Sequence, residues 1–297
     1  MSSTTPLLPR NKKDEHPIFL RVCHSPWTGI GQNTLVGLRG LTAIYMTVSF
    51  ILMINYDVNF NNAVNANVNK DGWSTVFDPP NIAYFMLTLY QWMAAIWTFM
   101  HLHYPHHRNG PQNASTRVQR FLSPPRQQES TKNKTWFSVF YYAALTFPHL
   151  TTLIHWAISV PMNQTAIPAN AILGNGRYAD FFVITKYAIV SLVALLEVFV
   201  YSSIRRPTPP TPQIAGISLL ALLYIGWAYV GHEITGRYPY YFLDHRTVGP
   251  GNTAGAIIAF VAAANILFGF NLALTALREL LAHRSEQRSS GYTSLPQ

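Results

Sequence analysis

Residues 178–201 read YADFFVITKYAIVSLVALLEVFVY, an apolar stretch interrupted by single polar residues. An α-helix rises about 1.5 Å per residue, so this stretch is long enough to cross the hydrocarbon core of a bilayer, which is about 30 Å thick. It therefore predicts a transmembrane helix that carries two charged side chains beyond its first turn, Lys186 and Glu197.

Five further apolar stretches of similar length lie along the chain, at 36–56, 82–100, 136–160, 214–231 and 254–281. Only 11% of the 297 residues are charged and 49% are hydrophobic, whereas soluble domains usually carry about 25% charged residues. Six such stretches leave too little polar surface for a water-soluble domain. We therefore predict an all-α integral membrane bundle of six transmembrane helices.

The polar segments outside these stretches predict the organisation of the domain. We expect residues 34–281 to form the membrane domain, with a flexible cytoplasmic linker at about 101–135 that is rich in Pro, Ser, Gln and Arg. Residues 1–33 and 282–297 are expected to be disordered tails. The first 30 residues contain no apolar core, so no cleavable signal peptide is expected.

The distribution of Lys and Arg predicts the orientation in the membrane. The side that would hold both termini, the 101–135 linker and the Arg205-Arg206 turn carries sixteen of the 21 basic residues. By the positive-inside rule, both termini are expected in the cytoplasm, where anionic lipids complement the net charge of +9. The glycosylation sequon at Asn163 then lies on the opposite side, where acceptor sites are used. Nucleic-acid binding is not expected, because the basic residues form no continuous groove.

Ionisable side chains inside the predicted spans are the candidates for chemistry, because each is costly to bury in lipid. Arg39 and Glu197 lie near predicted cytoplasmic ends and are expected to snorkel towards water. Lys186 is expected about 12 Å, and the hydroxyl of Thr88 about 9 Å, from the membrane surface opposite the cytoplasm. The same half of the bundle contains three histidines: His149, His155 and, at the end of the fifth span, His232.

A hydroxyl beside an amine or imidazole can act as a nucleophile, since the base takes its proton. Thr88, Lys186 and His232 are therefore the candidate catalytic residues. The alternative is that these residues have structural roles. A threonine in a membrane helix commonly donates to a carbonyl of the preceding turn, and a lone histidine often makes one interhelical hydrogen bond. Lys186 could equally pair with Glu233, Asp180 or water.

No metal or haem cofactor is expected. The run HLHYPHH at 101–107 contains four histidines, but no carboxylate or cysteine lies near it and Pro105 interrupts its helical register. His149 and His155 share one helix and have no evident partners for haem ligation. Cys23 is the only cysteine, which excludes an intrachain disulfide, and it is expected to be a surface thiol.

The stretch WAYVGHEITGRYPYYFLDH at 227–245 resembles a signature of the androgen-induced-gene family of multispanning membrane proteins. That signature has a Trp, a His, Thr-Gly and then Tyr-x-Phe-Leu-Glu-His. The similar positions are Trp227, His232, Thr235, Gly236, Tyr240, Phe242, Leu243, Asp244 and His245. Weaker similarity extends to Phe147-Pro148, His155-Trp156 and Glu197, and the six-helix layout agrees along about residues 35 to 280.

The resemblance implies a lipid hydrolase of the endomembrane system, in the endoplasmic reticulum or plasma membrane. Animal members of the family are intramembrane threonine hydrolases that cleave fatty-acid esters of hydroxy fatty acids, so membrane lipids and such an ester are the implied partners. Their nucleophile is a threonine of the second helix, which Leu87-Thr88 resembles.

Their base is a histidine of the fourth helix, where this chain has Thr185, Lys186 or Tyr187. Three alternatives follow. Lys186 could act as a neutral base, as lysine does in serine-lysine hydrolases. His155 or His232 could supply an imidazole from another helix. Finally, the base could be lost, which would leave a lipid-binding or scaffolding protein with the same fold.

Overall fold

The computed structural model describes residues 18–64, 72–104, 114–125, 131–162 and 177–291. Within these ranges every regular element is helical, and six helices are long and apolar enough to cross a membrane. They run over Gln32–Asn59, Pro79–His103, Lys132–Ser159, Asp180–Tyr201, Thr211–Thr235 and Pro250–Arg284. The chain is a multispanning membrane protein with an all-α fold, as predicted.

Ten α-helices make up these spans and their connections in the described part of the chain. In chain order they are α1 (Ile18–Val22), α2 (Gln32–Val64), α3 (Pro79–His103), α4 (Ala114–Leu122), α5 (Thr131–Ile154), α6 (Arg177–Ile184), α7 (Val190–Leu196), α8 (Thr211–Thr235), α9 (His245–Val248) and α10 (Pro250–Gly291). Short 3₁₀ turns cover Gly72–Phe77 and Tyr241–Leu243.

Three π-helical turns interrupt or extend the third and fourth spans. The third span ends in one, His155–Ser159, and the fourth contains Thr185–Ile189 between α6 and α7 and ends in Glu197–Tyr201. A π turn inserts an extra residue into the helix and is frequent at functional sites. His155, Lys186 and Glu197 all lie in these turns.

The third span lies at the centre of the bundle. Of its most apolar window, 78% is buried, against 22% for the sixth span and 28% for the first and fifth. Ala143 and Ala144 are fully buried, because their small side chains let neighbouring helices approach closely. Large apolar side chains of the outer spans face outwards, for example Leu41, Ile258 and Ile266 at 68%, 70% and 72% exposure, as expected for contact with lipid tails.

Three segments that were predicted to be irregular contain structure, and one of them is the predicted C-terminal tail, into which α10 continues as far as Gly291. Within the predicted N-terminal tail, α1 packs against α3 and α5, and Phe19, Val22 and Cys23 are buried. Cys23 is therefore not a surface thiol; burial raises its pKa to about 12. Within the predicted linker, α4 forms a short helix and α5 already begins at Thr131. The sequon at Asn163 and residues His106 and His107 lie outside the described residues.

Candidate functional site

Lys186 lies in the π turn of the fourth span and is only 3% exposed. Its Nζ donates a hydrogen bond to Oδ2 of Asp57 on α2 at 2.8 Å, and lies 4.0 Å from Oδ2 of Asp78, which precedes α3. The same Nζ lies 4.8 Å from the ring centre of Phe182. A protonated lysine has three donors and no acceptor, so in this arrangement Lys186 is a cation held by carboxylates of two other elements.

Asn81 completes this group, which we call the Lys186 cluster: Lys186, Asp57, Asp78 and Asn81. Asn81 Nδ2 donates to Asp57 Oδ2 and to the carbonyl of Thr75, both at 3.0 Å. The cluster is open on one side, because the side chain of Asp57 is 12% exposed and that of Asp78 is 35% exposed. Partial removal from water raises the pKa of Asp78 to about 6, and the charge of Lys186 limits the rise.

His155 stands beside this cluster. Its imidazole stacks face to face on the ring of Tyr187, with ring centres 3.5 Å apart and planes 3° from parallel. Trp156 Nε1 donates to the carbonyl of Tyr187 at 3.0 Å. His155 is 5% exposed, and its Nε2 has no hydrogen-bond partner among the described residues. The third span thus brings an imidazole against the segment of the fourth span where the family resemblance implies the base.

Thr88 is buried on α3, at 6% exposure. Its hydroxyl donates to the carbonyl of Tyr84 in the preceding turn at 2.8 Å, which is the structural alternative predicted for a threonine in a membrane helix. Among the described residues, no hydrogen bond connects Thr88 with Lys186, His155 or His232. The helix that carries Thr88 does pack against the π turn Thr185–Ile189.

His232 lies at the end of α8, away from hydrogen-bonding contact with the other two candidates. Its ring stacks on Tyr238, with centres 3.8 Å apart and planes 7° from parallel. Between them the chain turns at Gly236, whose φ of 67° is the left-handed conformation that ends many helices. His232 therefore packs against the loop that follows its own helix, within the stretch that resembles the family signature.

Elsewhere in that stretch, the end of α8 packs against the turn Gly72–Phe77, and the turn Tyr241–Leu243 packs against α10. Trp227 Nε1 donates to the carbonyl of Val76 at 3.4 Å. A Cβ at Gly231 would lie 2.6 Å from Phe77 Cγ, so only glycine permits this approach. Asp244 caps α9 by accepting from Arg246 N at 3.0 Å, and its bond from the Thr247 hydroxyl lowers its pKa. These contacts give the stretch a structural role.

His149 makes the single interhelical hydrogen bond that the structural alternative predicted for a lone histidine. Its Nδ1 lies 3.1 Å from Ser191 Oγ on α7. Thr152 Oγ1 lies 2.8 Å from the same oxygen, so this group joins the third and fourth spans.

The prediction that Arg39 and Glu197 snorkel to the surface is wrong, because both side chains are completely buried and pair with each other at 3.1 Å. Glu197 also accepts from Tyr90 at 2.8 Å and from Gln91 Nε2 at 3.2 Å, both on α3. We call these four residues the Glu197 cluster. Tyr90 and Gln91 were not among the predicted site residues, although polar side chains in an apolar span are the pattern that would have indicated them.

No group of three or more His, Cys, Asp or Glu side chains within the described ranges is arranged to hold a metal ion. In comparisons with known proteins, no family model, no curated protein and no solved structure matches this chain.

Proposed function

We propose that the protein is an endomembrane lipid hydrolase of the androgen-induced-gene type, which cleaves long-chain esters within the bilayer by means of Thr88. The observation that carries the proposal is His155, a buried imidazole with an unpartnered nitrogen, stacked on Tyr187 at the fourth-span segment where the family has its base. Of the three alternatives for the base, this contact favours the imidazole of the third span over Lys186.

Lys186 takes a different role from the one that the sequence suggested. Because it donates to Asp57, it is suited to stabilise negative charge and not to accept a proton. A fixed cation aimed at a developing oxyanion in a site shielded from water is among the strongest contributions to catalysis. Lys186 would therefore stabilise the oxyanion, with Asp57 and Asn81 holding it in place.

The reaction follows from these assignments. The Thr88 hydroxyl first leaves the Tyr84 carbonyl by rotation about χ1, since threonine has two accessible rotamers in a helix. Its oxygen attacks the ester carbonyl while His155 takes the proton, and the imidazolium then protonates the departing alcohol. A water molecule, deprotonated by the same imidazole, hydrolyses the acyl-threonine and releases the fatty acid.

The test is turnover of a fatty-acid ester of a hydroxy fatty acid by the purified protein in lipid nanodiscs, together with labelling by a fluorophosphonate probe. Thr88→Ala should abolish labelling, and His155→Gln should lower turnover by roughly 10²- to 10⁴-fold. Thr98→Ala is the matched control, because Thr98 is also buried on α3 and donates to the carbonyl four residues earlier. Labelling of Thr88→Ala at the wild-type level would exclude Thr88 as nucleophile.

A second candidate function is a non-catalytic lipid-binding or scaffolding protein with the same fold. It is favoured by the hydrogen bond from Thr88 to Tyr84 and the ion pair of Lys186 with Asp57, since each polar group then has a structural use. This candidate predicts no turnover by the folded wild-type protein and a small loss of thermal stability in Thr88→Ala, because the hydroxyl then serves only its hydrogen bond to Tyr84. Turnover that Thr88→Ala removes would exclude it.

A further inference from the structure

An open cavity of about 570 Å³ lies at the other end of the bundle from the Lys186 cluster. One wall is the connection between the fourth and fifth spans, residues 205–210, and the other is a face of α10 formed by Leu272, Ala273, Ala276 and Glu279. Neither the candidate site nor the family resemblance involves these residues.

The cavity changes character along its length. From Glu279 to Leu272 it follows α10 for about 10 Å, and its lining changes from charged to apolar. Both residues belong to the membrane span Pro250–Arg284, so the apolar end extends towards the middle of the bilayer. A cavity that is charged at the membrane surface and apolar beneath it matches the two parts of a phospholipid.

The charged end is cationic. It is lined by Arg205 and Arg206 and by one carboxylate, Glu279. Arg206 Nε lies 3.3 Å from Glu279 Oε2, and its side chain remains 52% exposed. A guanidinium presents paired N–H donors that fit the oxygens of a phosphate group.

Hydrogen bonds from a buried arginine of α10 hold the two walls of the cavity in position. Arg278 of α10 is 1% exposed, and its NH1 donates to the carbonyls of Val198 and Ser202 at 2.9 and 2.7 Å. Its NH2 donates to the carbonyl of Ile204. These bonds fix the end of the fourth span against α10, so the cavity is formed before any ligand binds.

We propose that this cavity binds one anionic phospholipid, with the phosphate at Arg205 and Arg206 and an acyl chain along Leu272, Ala273 and Ala276. The positive-inside rule predicts that this end faces the cytoplasm, where anionic lipids are concentrated. Basic pockets between transmembrane helices on that side bind anionic headgroups. The site does not depend on the proposed hydrolase activity.

The test is native mass spectrometry of the full-length protein in non-ionic detergent, titrated with phosphatidylserine, with phosphatidylcholine of the same acyl chains, or with inorganic phosphate. We expect one saturable phosphatidylserine per chain and weaker binding of phosphatidylcholine. Arg205→Gln should weaken phosphatidylserine binding by about fivefold, which corresponds to the loss of one basic residue at an anionic lipid surface. Arg284→Gln, which removes an exposed charge on the same side outside the cavity, should bind like the wild type.

A second variant tests the acyl-chain part without changing charge. Ala276→Phe fills the apolar wall and should also weaken binding. The proposal is overturned if both variants bind phosphatidylserine like the wild type, or if phosphatidylcholine binds equally well. Saturable binding of inorganic phosphate that displaces the lipid would identify a soluble anion as the ligand and would overturn the lipid assignment.

Discussion

The Glu197 cluster and the Lys186 cluster both place an ion pair inside the bundle, but they differ in access to water. Arg39 and Glu197 are 0% exposed, whereas Asp57 and Asp78 are 12% and 35% exposed. The first cluster is sealed by its protein partners and therefore acts as a structural joint. The second stands at the edge of the bundle, where water and protons can reach its carboxylates.

The sealed cluster joins α1 to three spans of the bundle. Arg39 NH2 donates to Glu197 and also to the carbonyls of Val22 and Tyr201, at 2.8 and 3.0 Å. It thereby fixes the end of α1 and the end of the fourth span to the first span. The bonds from Tyr90 and Gln91 add the second span. Loss of one charge would leave the other buried without a counter-charge.

The largest effect is therefore expected for Arg39→Met. Removal of one partner of a buried ion pair costs about 3–5 kcal/mol of unfolding free energy, because the remaining charge is not hydrated. Unfolding of the purified protein in mixed micelles measures this cost. Arg39→Met/Glu197→Met is the control and should recover part of the loss, since an apolar pair needs no compensation. An equal loss in both variants would show that the cost does not arise from the stranded charge of Glu197.

A smaller loss is expected for Lys186→Met, about 1–3 kcal/mol. Asp57 keeps its hydrogen bond from Asn81 and has access to water, so the stranded carboxylate is partly stabilised. The same unfolding measurement gives the value, and Lys186→Met/Asp57→Asn should recover most of it. A cost equal to that of Arg39→Met would contradict the difference in exposure between the two clusters.

The open cluster should also make stability depend on pH. The pKa of Asp78 in the folded protein is about 6, raised from the ordinary 3.8 chiefly by partial removal from water, so the folded state binds this proton more tightly than the unfolded state does. Its contribution is fully present below about pH 4 and is lost as the pH rises through about 6. Unfolding midpoints at pH 4 to 7 should show this decline, and Asp78→Asn should reduce it.

Substitution of Lys186 provides a further check on the titration of Asp78. Its charge lowers the pKa of Asp78, so in Lys186→Met the decline should extend to higher pH. Identical pH profiles for the wild type and Asp78→Asn would show that another group causes the dependence.

The spans could be predicted from the sequence because length and hydropathy alone define them. Every predicted stretch lies inside a helical segment of the structure, except that the predicted third span ends at Val160, one residue beyond Ser159. The partners of the charged residues could not be predicted in the same way. Asp57 lies one residue beyond the predicted end of the first span at Tyr56, yet α2 continues past it and brings its carboxylate to Lys186.

The sequence also could not predict which residues of the third and fourth spans share a face of the helix. Counting along a regular α-helix assigns each residue to a face, but a π turn adds a residue and rotates everything that follows by about one position. His155, Lys186 and Glu197 all lie in such turns. The snorkelling prediction for Arg39 failed for a related reason, since depth along one helix does not reveal a partner at the same depth on another.

The smallest effect is expected for an ion pair outside both clusters. Arg206 and Glu279 lie 3.3 Å apart, with side chains 52% and 24% exposed. Solvent screening limits such a pair to at most about 1 kcal/mol. A double-mutant cycle with Arg206→Gln and Glu279→Gln isolates the pair from the separate bond between Arg206 N and Glu279 Oε1, and the coupling should shrink further in about 1 M salt. A salt-independent coupling as large as the cost of Lys186→Met would mean that exposure does not rank these ion pairs, and the distinction between the sealed and the open cluster would fail with it.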